Sequence, residues 1–218
     1  MRNLSTNDST SDYNRRSFLR SAGATLLGLS ALPLLAGALE GCTSESHALT
    51  VSPGCERATW KTLIVSKEEP GEPLIVSGRI YADDGKTPLE GICLYVYHTD
   101  ASGHYSAQDG NGQPPVARLR AWMRTDAAGR YEFRTIKPAP YPRRTIPAHI
   151  HASAAGAGYA ERWIDDFCFD GDRFITDEMR AKYAGLGSFT PIMSLTRDGA
   201  GVLHVTRDIR LQRVPERS

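Results

Sequence analysis

RYEFRTIKPAPYPRRTIPAHIHA, residues 130–152, is the stretch that decides the fold. Its first part, Arg130–Ile136, is rich in aromatic and β-branched residues and predicts a β-strand. The prolines that follow fix φ and exclude a helix, so Tyr141 lies on a stiff loop. A second extended segment, Ala148–Ala152, comes after this loop. The stretch therefore predicts two strands joined by a rigid connection.

Two histidines, His149 and His151, alternate with Ile150 in the second segment. Successive side chains of an extended segment point to opposite faces, so the two imidazoles project to the same side. Two neighbouring imidazoles are able to hold one metal ion. The working hypothesis is that these histidines bind a ferric ion together with Tyr141 and one tyrosine upstream.

Tyrosine ligands make this hypothesis chemically specific. A free phenol has a pKa of ~10 and is a poor ligand at neutral pH, but a highly charged cation favours the phenolate. Two phenolates are hard anionic donors, which stabilise Fe(III) over Fe(II). Such a centre is expected to bind a catecholate through both oxygens and to make the ring itself reactive toward O2.

Other metal sites fit the sequence less well. There is no Cys-x-x-Cys and no His-Glu-x-x-His, so structural zinc and the helical zinc-protease arrangement are disfavoured. An Fe(II) site of two histidines and one carboxylate stays open, with Asp165 or Asp166 as the carboxylate. These two residues alternate faces on a predicted strand, so at most one of them reaches the histidines.

The rest of the chain consists of short strand-like segments separated by turn-forming residues. This pattern predicts an all-β fold, namely an antiparallel β-sandwich of the prealbumin-like kind. One short surface helix is expected at Thr176–Gly185, because Thr176 is able to cap it and Gly185 to end it. Two long irregular loops, Thr99–Ala117 and Pro138–Pro147, carry the tyrosines. The other predicted strands are Lys61–Ser66, Leu74–Tyr81, Ile92–His98, Arg118–Met123, Arg162–Phe169 and Val202–Val214.

Composition is consistent with one globular domain and argues against some partners. The chain has 218 residues, 40% of them hydrophobic, and a net charge of +1. Beyond Gly41 the basic and acidic residues balance, with no basic run to suggest nucleic acid or an anionic membrane surface. We expect one domain at 55–218, and oligomeric state is not predicted.

The N-terminus predicts an export signal at 1–41. Asn14–Arg20, which contains Arg15 and Arg16, resembles a twin-arginine signal, and the apolar run Ala22–Leu39 is too short and too rich in small residues for a permanent span. Cleavage at Ala36-Gly37-Ala38 competes with a lipobox that ends at Cys42 and would lipidate it. A tether at 42–54 follows. The mature protein is thus expected to be periplasmic or extracellular, either free or anchored through Cys42.

Three cysteines remain in the predicted domain. An oxidising compartment permits one disulfide among Cys55, Cys93 and Cys168 and leaves one thiol. Cys93 and Cys168 lie in apolar, strand-like runs, which favours small core residues for both.

Three segments together resemble the intradiol ring-cleavage dioxygenases, with the protocatechuate 3,4-dioxygenase branch as the nearest likeness. The first is Tyr97-His98-Thr99-Asp100-Ala101-Ser102-Gly103-His104-Tyr105. The second runs from Arg124 to Pro138 and into Pro140-Tyr141-Pro142, and the third is Pro147-Ala148-His149-Ile150-His151. The likeness covers roughly Leu74 to Asp172.

The resemblance implies a non-haem Fe(III) enzyme with Tyr105, Tyr141, His149 and His151 as ligands. It implies that an aromatic diol binds the iron and displaces Tyr141, and that O2 then opens the ring between the hydroxyl-bearing carbons to a muconate-type diacid. A β-sandwich binding module without turnover is the alternative from a different class.

Two positions depart from the family. Family members carry an arginine directly before the Pro-Ala-His-Ile-His run, where this chain has Ile146. Arg143 or Arg144 is able to supply the missing guanidinium, and we assign Arg144 to the catalytic residues with Tyr141. Asp166 stands where the family places a glutamine. Both departures bear on substrate range rather than on the metal ligands.

Overall fold

The computed structural model describes residues 54–105 and 117–213, which form two β-sheets around one hydrophobic core. The predicted export signal, Cys42 and most of the tether lie outside the described residues. The strands are β1 (Lys61–Leu63), β2 (Pro73–Tyr81), β3 (Cys93–His98), β4 (Leu119–Arg124), β5 (Arg130–Ile136), β6 (His149–Gly156), β7 (Tyr159–Phe169), β8 (Ile192–Met193), β9 (Thr196–Arg197), β10 (Leu203–Thr206) and β11 (Ile209–Arg210).

The two sheets have mixed topology. One has the order β1-β5-β2-β10-β9, with β11 also paired to β2, and the other has the order β4-β3-β6-β7-β8. The expected all-β sandwich is confirmed, and its long neighbouring strands pair antiparallel. Four pairs, each with a short strand, are parallel instead: β1–β5, β10–β2, β11–β2 and β7–β8. Parallel partners are distant in the chain, so hairpin spacing does not reveal them.

The core lies between the sheets and is filled by alternate residues of each strand. Val76 and Phe133 come from the first sheet, Val96, Ile150 and Phe167 come from the second, and all five are fully buried. Burial of such side chains contributes on the order of 1.5–3 kcal/mol each. This packing holds β6 with Ile150 inward, and so determines which of its side chains face outward.

The predicted strand Val202–Val214 is interrupted. It forms β10 and β11, separated by Arg207 and Asp208. Tyr131 donates its hydroxyl to the Arg207 carbonyl over 2.6 Å, and a Cβ on Gly78 would lie 1.7 Å from the same oxygen. The Arg207 carbonyl is thus hydrogen bonded to a core tyrosine, and the register with β2 is the same on both sides of the interruption.

The short helix is confirmed as α1, Asp177–Lys182. The Thr176 side chain accepts a hydrogen bond from the Met179 amide, which satisfies one free N–H of the first turn. A single 3-10 turn, Gly187–Phe189, follows it. Within the described part of the chain, no helix is long and apolar enough to span a membrane.

One disulfide joins Cys55, ahead of β1, to Cys93 at the start of β3, with Cα atoms 5.9 Å apart. Cys93 is therefore buried as expected but bonded, and Cys168 is the buried free thiol. Burial raises the pKa of Cys168 to about 12, so this thiol is an inert core residue.

His98, at the end of β3, is buried between the sheets. Its Nδ1 bonds the Thr99 carbonyl and its Nε2 bonds Thr135 Oγ1 of β5, both over 2.7 Å. Burial disfavours the imidazolium and lowers the pKa of His98 to about 4. This histidine is thus a neutral structural link between the sheets.

The buried histidine predicts a specific loss of stability in acid. An unfolded histidine has a pKa of ~6.5, so between that value and about 4 the unfolded chain binds the extra proton. The contribution of neutral His98 to the free energy of unfolding is complete above pH ~6.5. It falls by about 3 kcal/mol as the pH drops to the pKa of His98 in the folded protein. Denaturant unfolding at pH 7 and 4.5 measures this, with His98→Gln as the comparison. Equal pH dependence in the two proteins would show that His98 is not the cause.

Candidate metal centre

The four predicted metal ligands lie together at one end of the second sheet. Tyr105 Oη and Tyr141 Oη are 2.5 Å apart, and Tyr141 Oη is 3.1 Å from His151 Nε2. His149 Nε2 is also 3.1 Å from His151 Nε2. Two phenol oxygens and two imidazole nitrogens thus form one cluster of donor atoms. Their role as ligands stays a prediction, but their convergence is a property of the fold.

The histidines lie on one face of β6, as their alternation predicts. Ile150 between them is fully buried in the core, and His149 is 8% exposed. β6 pairs with β3 on one side and β7 on the other. Because both edges of the strand are hydrogen bonded, its register and the direction of its imidazoles are held firmly.

Each imidazole is oriented by a bond at its other nitrogen. His149 Nδ1 lies 2.6 Å from the Pro147 carbonyl, and His151 Nδ1 lies 2.8 Å from Asp166 Oδ1. Both partners accept hydrogen bonds, so Nδ1 carries the proton in each ring and the Nε2 lone pair faces the cluster. This is the tautomer that a metal ligand requires.

The two tyrosine loops are locked to each other. Thr99 Oγ1 donates to the Ala139 carbonyl over 2.8 Å, and the Ala139 amide donates to the Asp100 carbonyl over 3.1 Å. Gly103 has φ of +83°, and a Cβ at this position would lie 2.2 Å from the Pro140 carbonyl oxygen. The absence of a side chain at Gly103 therefore lets the first loop approach the second closely enough for the phenols to meet.

Partial burial favours the neutral forms of three groups in the cluster. It raises the pKa of Tyr105, with the hydrogen bond to Tyr141 as a further cause, and it raises the pKa of Tyr141. It also lowers the pKa of His149. Neutral phenols and a neutral imidazole gain most from a small, highly charged cation, which offsets the cost of forming buried phenolates.

The proline-rich loop leaves its arginines at the surface. Arg143 has a left-handed backbone, with φ of +60°, and both Arg143 and Arg144 are exposed. The Arg144 amide donates to the Tyr141 carbonyl over 3.2 Å, and its positive charge acts on the Tyr141 phenol. Ile146 is 42% exposed. The catalytic role of Arg144 therefore stays a prediction.

Sequence reasoning did not predict the bond between Asp166 and His151. The pairing of β6 with β7 shifts register between Ile150 and Ala152, whose partners are Phe167 and Ile164. Two residues of β7 thus stand opposite one of β6, and Asp166 faces the cluster. Among the described residues, one group of three or more histidine, cysteine or acidic side chains has its donor atoms within 4.8 Å of one another. It consists of His149, His151 and Asp166. Alternation with the buried Phe167 places Asp166 on the outer face of β7, but the sequence does not give the register of β6 with β7, which sets His151 opposite it.

A second missed neighbour is Tyr97 of β3. Its ring stacks on His151 with centroids 4.7 Å apart and contacts the Tyr105 ring at 5.9 Å. The exposed Trp163 of β7 lies edge-on to Tyr97 at 5.9 Å. An aromatic wall thus borders the donor cluster on one side.

The close approach of the loops predicts a large effect for a single methyl group. Gly103→Ala must displace the Pro140 backbone in addition to straining its own φ, so we expect a loss of about 2–3 kcal/mol of unfolding free energy and weakened metal binding. Gly158→Ala is the matched control, since Gly158 has φ of +77° but nothing within 4 Å of the added Cβ. Denaturant unfolding and metal titration measure both. Equal losses in the two variants would contradict the locking of the loops.

Comparisons with known proteins agree with this geometry. A family model described as dioxygenase matches residues 50–212. The chain is 32% identical over 126 residues to catechol 1,2-dioxygenase 2 of Acinetobacter lwoffii, covering 50% of this chain and 44% of that protein. It is 33% identical over 121 residues to the protocatechuate 3,4-dioxygenase beta chain of Burkholderia cepacia, covering 51% of each. The chain thus spans about half the length of these curated relatives.

A solved structure supports the same assignment. The dioxygenase domain of a dioxygenase and carbohydrate-binding protein fusion from Streptomyces sp. SirexAA-E superposes with a TM-score of 0.54 at 25% identity. The match covers 73% of this chain and 92% of that domain. Since the family model covers most of the sequence and the fold agrees, this chain belongs to the intradiol ring-cleavage dioxygenase family.

Proposed function

We propose that the protein is an Fe(III) intradiol dioxygenase that opens the ring of a catechol-type aromatic diol with O2. The observation that carries the proposal is the convergence of the Tyr105 and Tyr141 oxygens with the Nε2 atoms of His149 and His151. Two hard phenolate donors and two imidazoles suit a ferric ion better than zinc or magnesium. The relatives named for catechol and protocatechuate point to the same chemistry.

The residues present fit the ion by donor type and by direction. Both imidazoles turn an unprotonated Nε2 toward the phenol oxygens, because their Nδ1 atoms are already hydrogen bonded. A ferric ion held there would supply Lewis acidity and a template on which the diol's two oxygens and O2 are brought together. The protein's own contribution is to hold the donors and the aromatic ring in place.

Tyr141 is the residue best placed to move a proton. Its loop is stiffened by Pro140 and Pro142, and burial raises its pKa. A diol that binds through two oxygens must give up its hydroxyl protons. As a phenolate in this half-buried setting, Tyr141 Oη would be a strong enough base to take one of them.

The ring of the diol needs an apolar wall and a source of positive charge. Tyr97, with Trp163 beside it, supplies aromatic surface next to His151. Arg144, whose charge acts on the Tyr141 phenol, is proposed to stabilise negative charge on the substrate in place of the arginine that Ile146 replaces.

One competing function also has an observation in its favour. The cluster of His149, His151 and Asp166 has the residue types of an Fe(II) site with two histidines and one carboxylate. Asp166 Oδ1, however, bonds His151 Nδ1 rather than lying with the Nε2 atoms. This arrangement supports the tyrosine-containing site over the carboxylate site.

We infer that the protein acts outside the cytoplasm. The supporting observation is the disulfide between Cys55 and Cys93, since such bonds persist in oxidising compartments. The twin-arginine segment at Arg15 and Arg16 is the proposed export signal, and Cys42 the proposed lipid anchor. Cell fractionation of the full chain beside a variant with both arginines changed to lysine tests this, and equal cytoplasmic retention of both proteins would refute it.

The ferric site predicts colour that depends on the tyrosines. Charge transfer from phenolate to Fe(III) should give a red to burgundy protein, and Tyr105→Phe and Tyr141→Phe should each bleach or shift the band. Tyr81→Phe is the control, because Tyr81 lies in β2 of the first sheet and its ring contacts Phe189 of the 3-10 turn. Visible spectra after ferric loading measure this. A colourless loaded protein, or a band unchanged in both ligand variants, would refute the assignment.

Turnover is predicted for a panel of diols. Oxygen uptake with catechol, hydroxyquinol or protocatechuate should yield one ring-opened diacid per O2, and Arg144→Ala should lower the rate at least tenfold if its charge stabilises the substrate. Arg143→Ala serves as the control. A protein that shows a spectral shift with diols but consumes no oxygen would instead be a binding module.

A further inference from the structure

We propose that Asp166 is a positioning residue that fixes the ring of His151 and increases electron donation from its Nε2 atom to the metal. The inference rests on the proposed function for the identity of the ion. Its own basis is the 2.8 Å contact between Asp166 Oδ1 and His151 Nδ1. A carboxylate at this nitrogen holds the proton-bearing side of the ring and makes the opposite nitrogen more basic.

The register of β6 and β7 brings Asp166 to this position. Ile150 pairs with Phe167, so regular antiparallel pairing sets Asp166 opposite His151, with both side chains on the same face. The register shifts after this point, and Asp165 is the extra residue of β7. Asp165 accepts a hydrogen bond from Tyr183 Oη over 3.3 Å, while Asp166 bonds His151. Ordinary strand pairing therefore directs Asp166 to the site, and the bulge follows it.

The two imidazoles differ in their outer partners. His149 donates to a neutral carbonyl, that of Pro147, whereas His151 donates to a carboxylate. Hydrogen bonds to a charged acceptor are stronger and draw the proton further from the ring. His151 is thus the stronger donor of the pair. The Asp166 side chain is 38% exposed, so solvent screens part of its charge.

This asymmetry has a consequence for the metal. Increased donation from His151 stabilises Fe(III) over Fe(II) and lowers the Lewis acidity of the ion. The carboxylate would favour tight ferric binding and a site that resists reduction.

The test compares Asp166→Asn and Asp166→Ala with Asp165→Asn in the full chain loaded with Fe(III). Asparagine keeps an acceptor for His151 Nδ1 but removes the charge, while alanine removes both. We expect the dissociation constant for Fe(III), measured by competition with a chelator, to rise 10–100-fold in Asp166→Ala and by less in Asp166→Asn. In both variants the Fe(III)/Fe(II) potential should become more positive and the charge-transfer band should move to longer wavelength. Asp165→Asn should match the unmodified protein.

Two outcomes overturn the inference, and both are separable from failure of the proposed function. If both Asp166 variants match Asp165→Asn in affinity, potential and band position, Asp166 does not act on the metal. If both abolish iron binding while Tyr105→Phe leaves the spectrum unchanged, Asp166 is a ligand rather than a positioning residue. A loaded but colourless unmodified protein contradicts the tyrosine ligands alone, and the chelator series still decides the role of Asp166. Unfolding curves exclude global instability as the cause of any change.

Discussion

The position of β6 between β3 and β7 is the constraint on which the rest of the site depends. Hydrogen bonds along both edges hold the strand in register, and Ile150 is fully buried against the opposite sheet. With that residue inward, His149 and His151 must point outward together. A slip of one residue would put an isoleucine outside and two imidazoles into an apolar core, so hydrophobic burial enforces the register that keeps the imidazoles together on the other face.

The tyrosines are positioned by a different principle. They come from loops, where a single phenol has many accessible positions, and the fold restricts these by local stiffness and close backbone contact. Pro140 and Pro142 limit the conformations of one loop, and Gly103 lets the other pack against the Pro140 carbonyl. Two hydrogen bonds complete the contact, since Thr99 Oγ1 donates to the Ala139 carbonyl and the Ala139 amide donates to the Asp100 carbonyl. Preorganisation of this kind reduces the entropy that metal binding would otherwise have to overcome.

Electrostatics bear on the kind of ion that the cluster suits. Partial burial favours the neutral forms of both phenols and of the His149 imidazole, and Asp166 is engaged with the outer nitrogen of His151. Among the described residues, the donor atoms that converge are thus phenol oxygens and imidazole nitrogens rather than several carboxylates. The proposed ferric ion agrees with this donor set, since a highly charged cation favours phenolates.

The sequence alone determined those features that depend on the conformational preferences of single residues and on contacts between near neighbours in the chain. The strand periodicity, the cap at Thr176, the stiff loop around Tyr141 and the shared face of His149 and His151 each depend on residues close in the chain. The tertiary structure alone decided the register that sets Asp166 opposite His151, the Cys55–Cys93 bond and the parallel pairing of β10 and β11 with β2. These features join segments far apart in sequence, and the packing of both sheets selects them after local preferences have been satisfied.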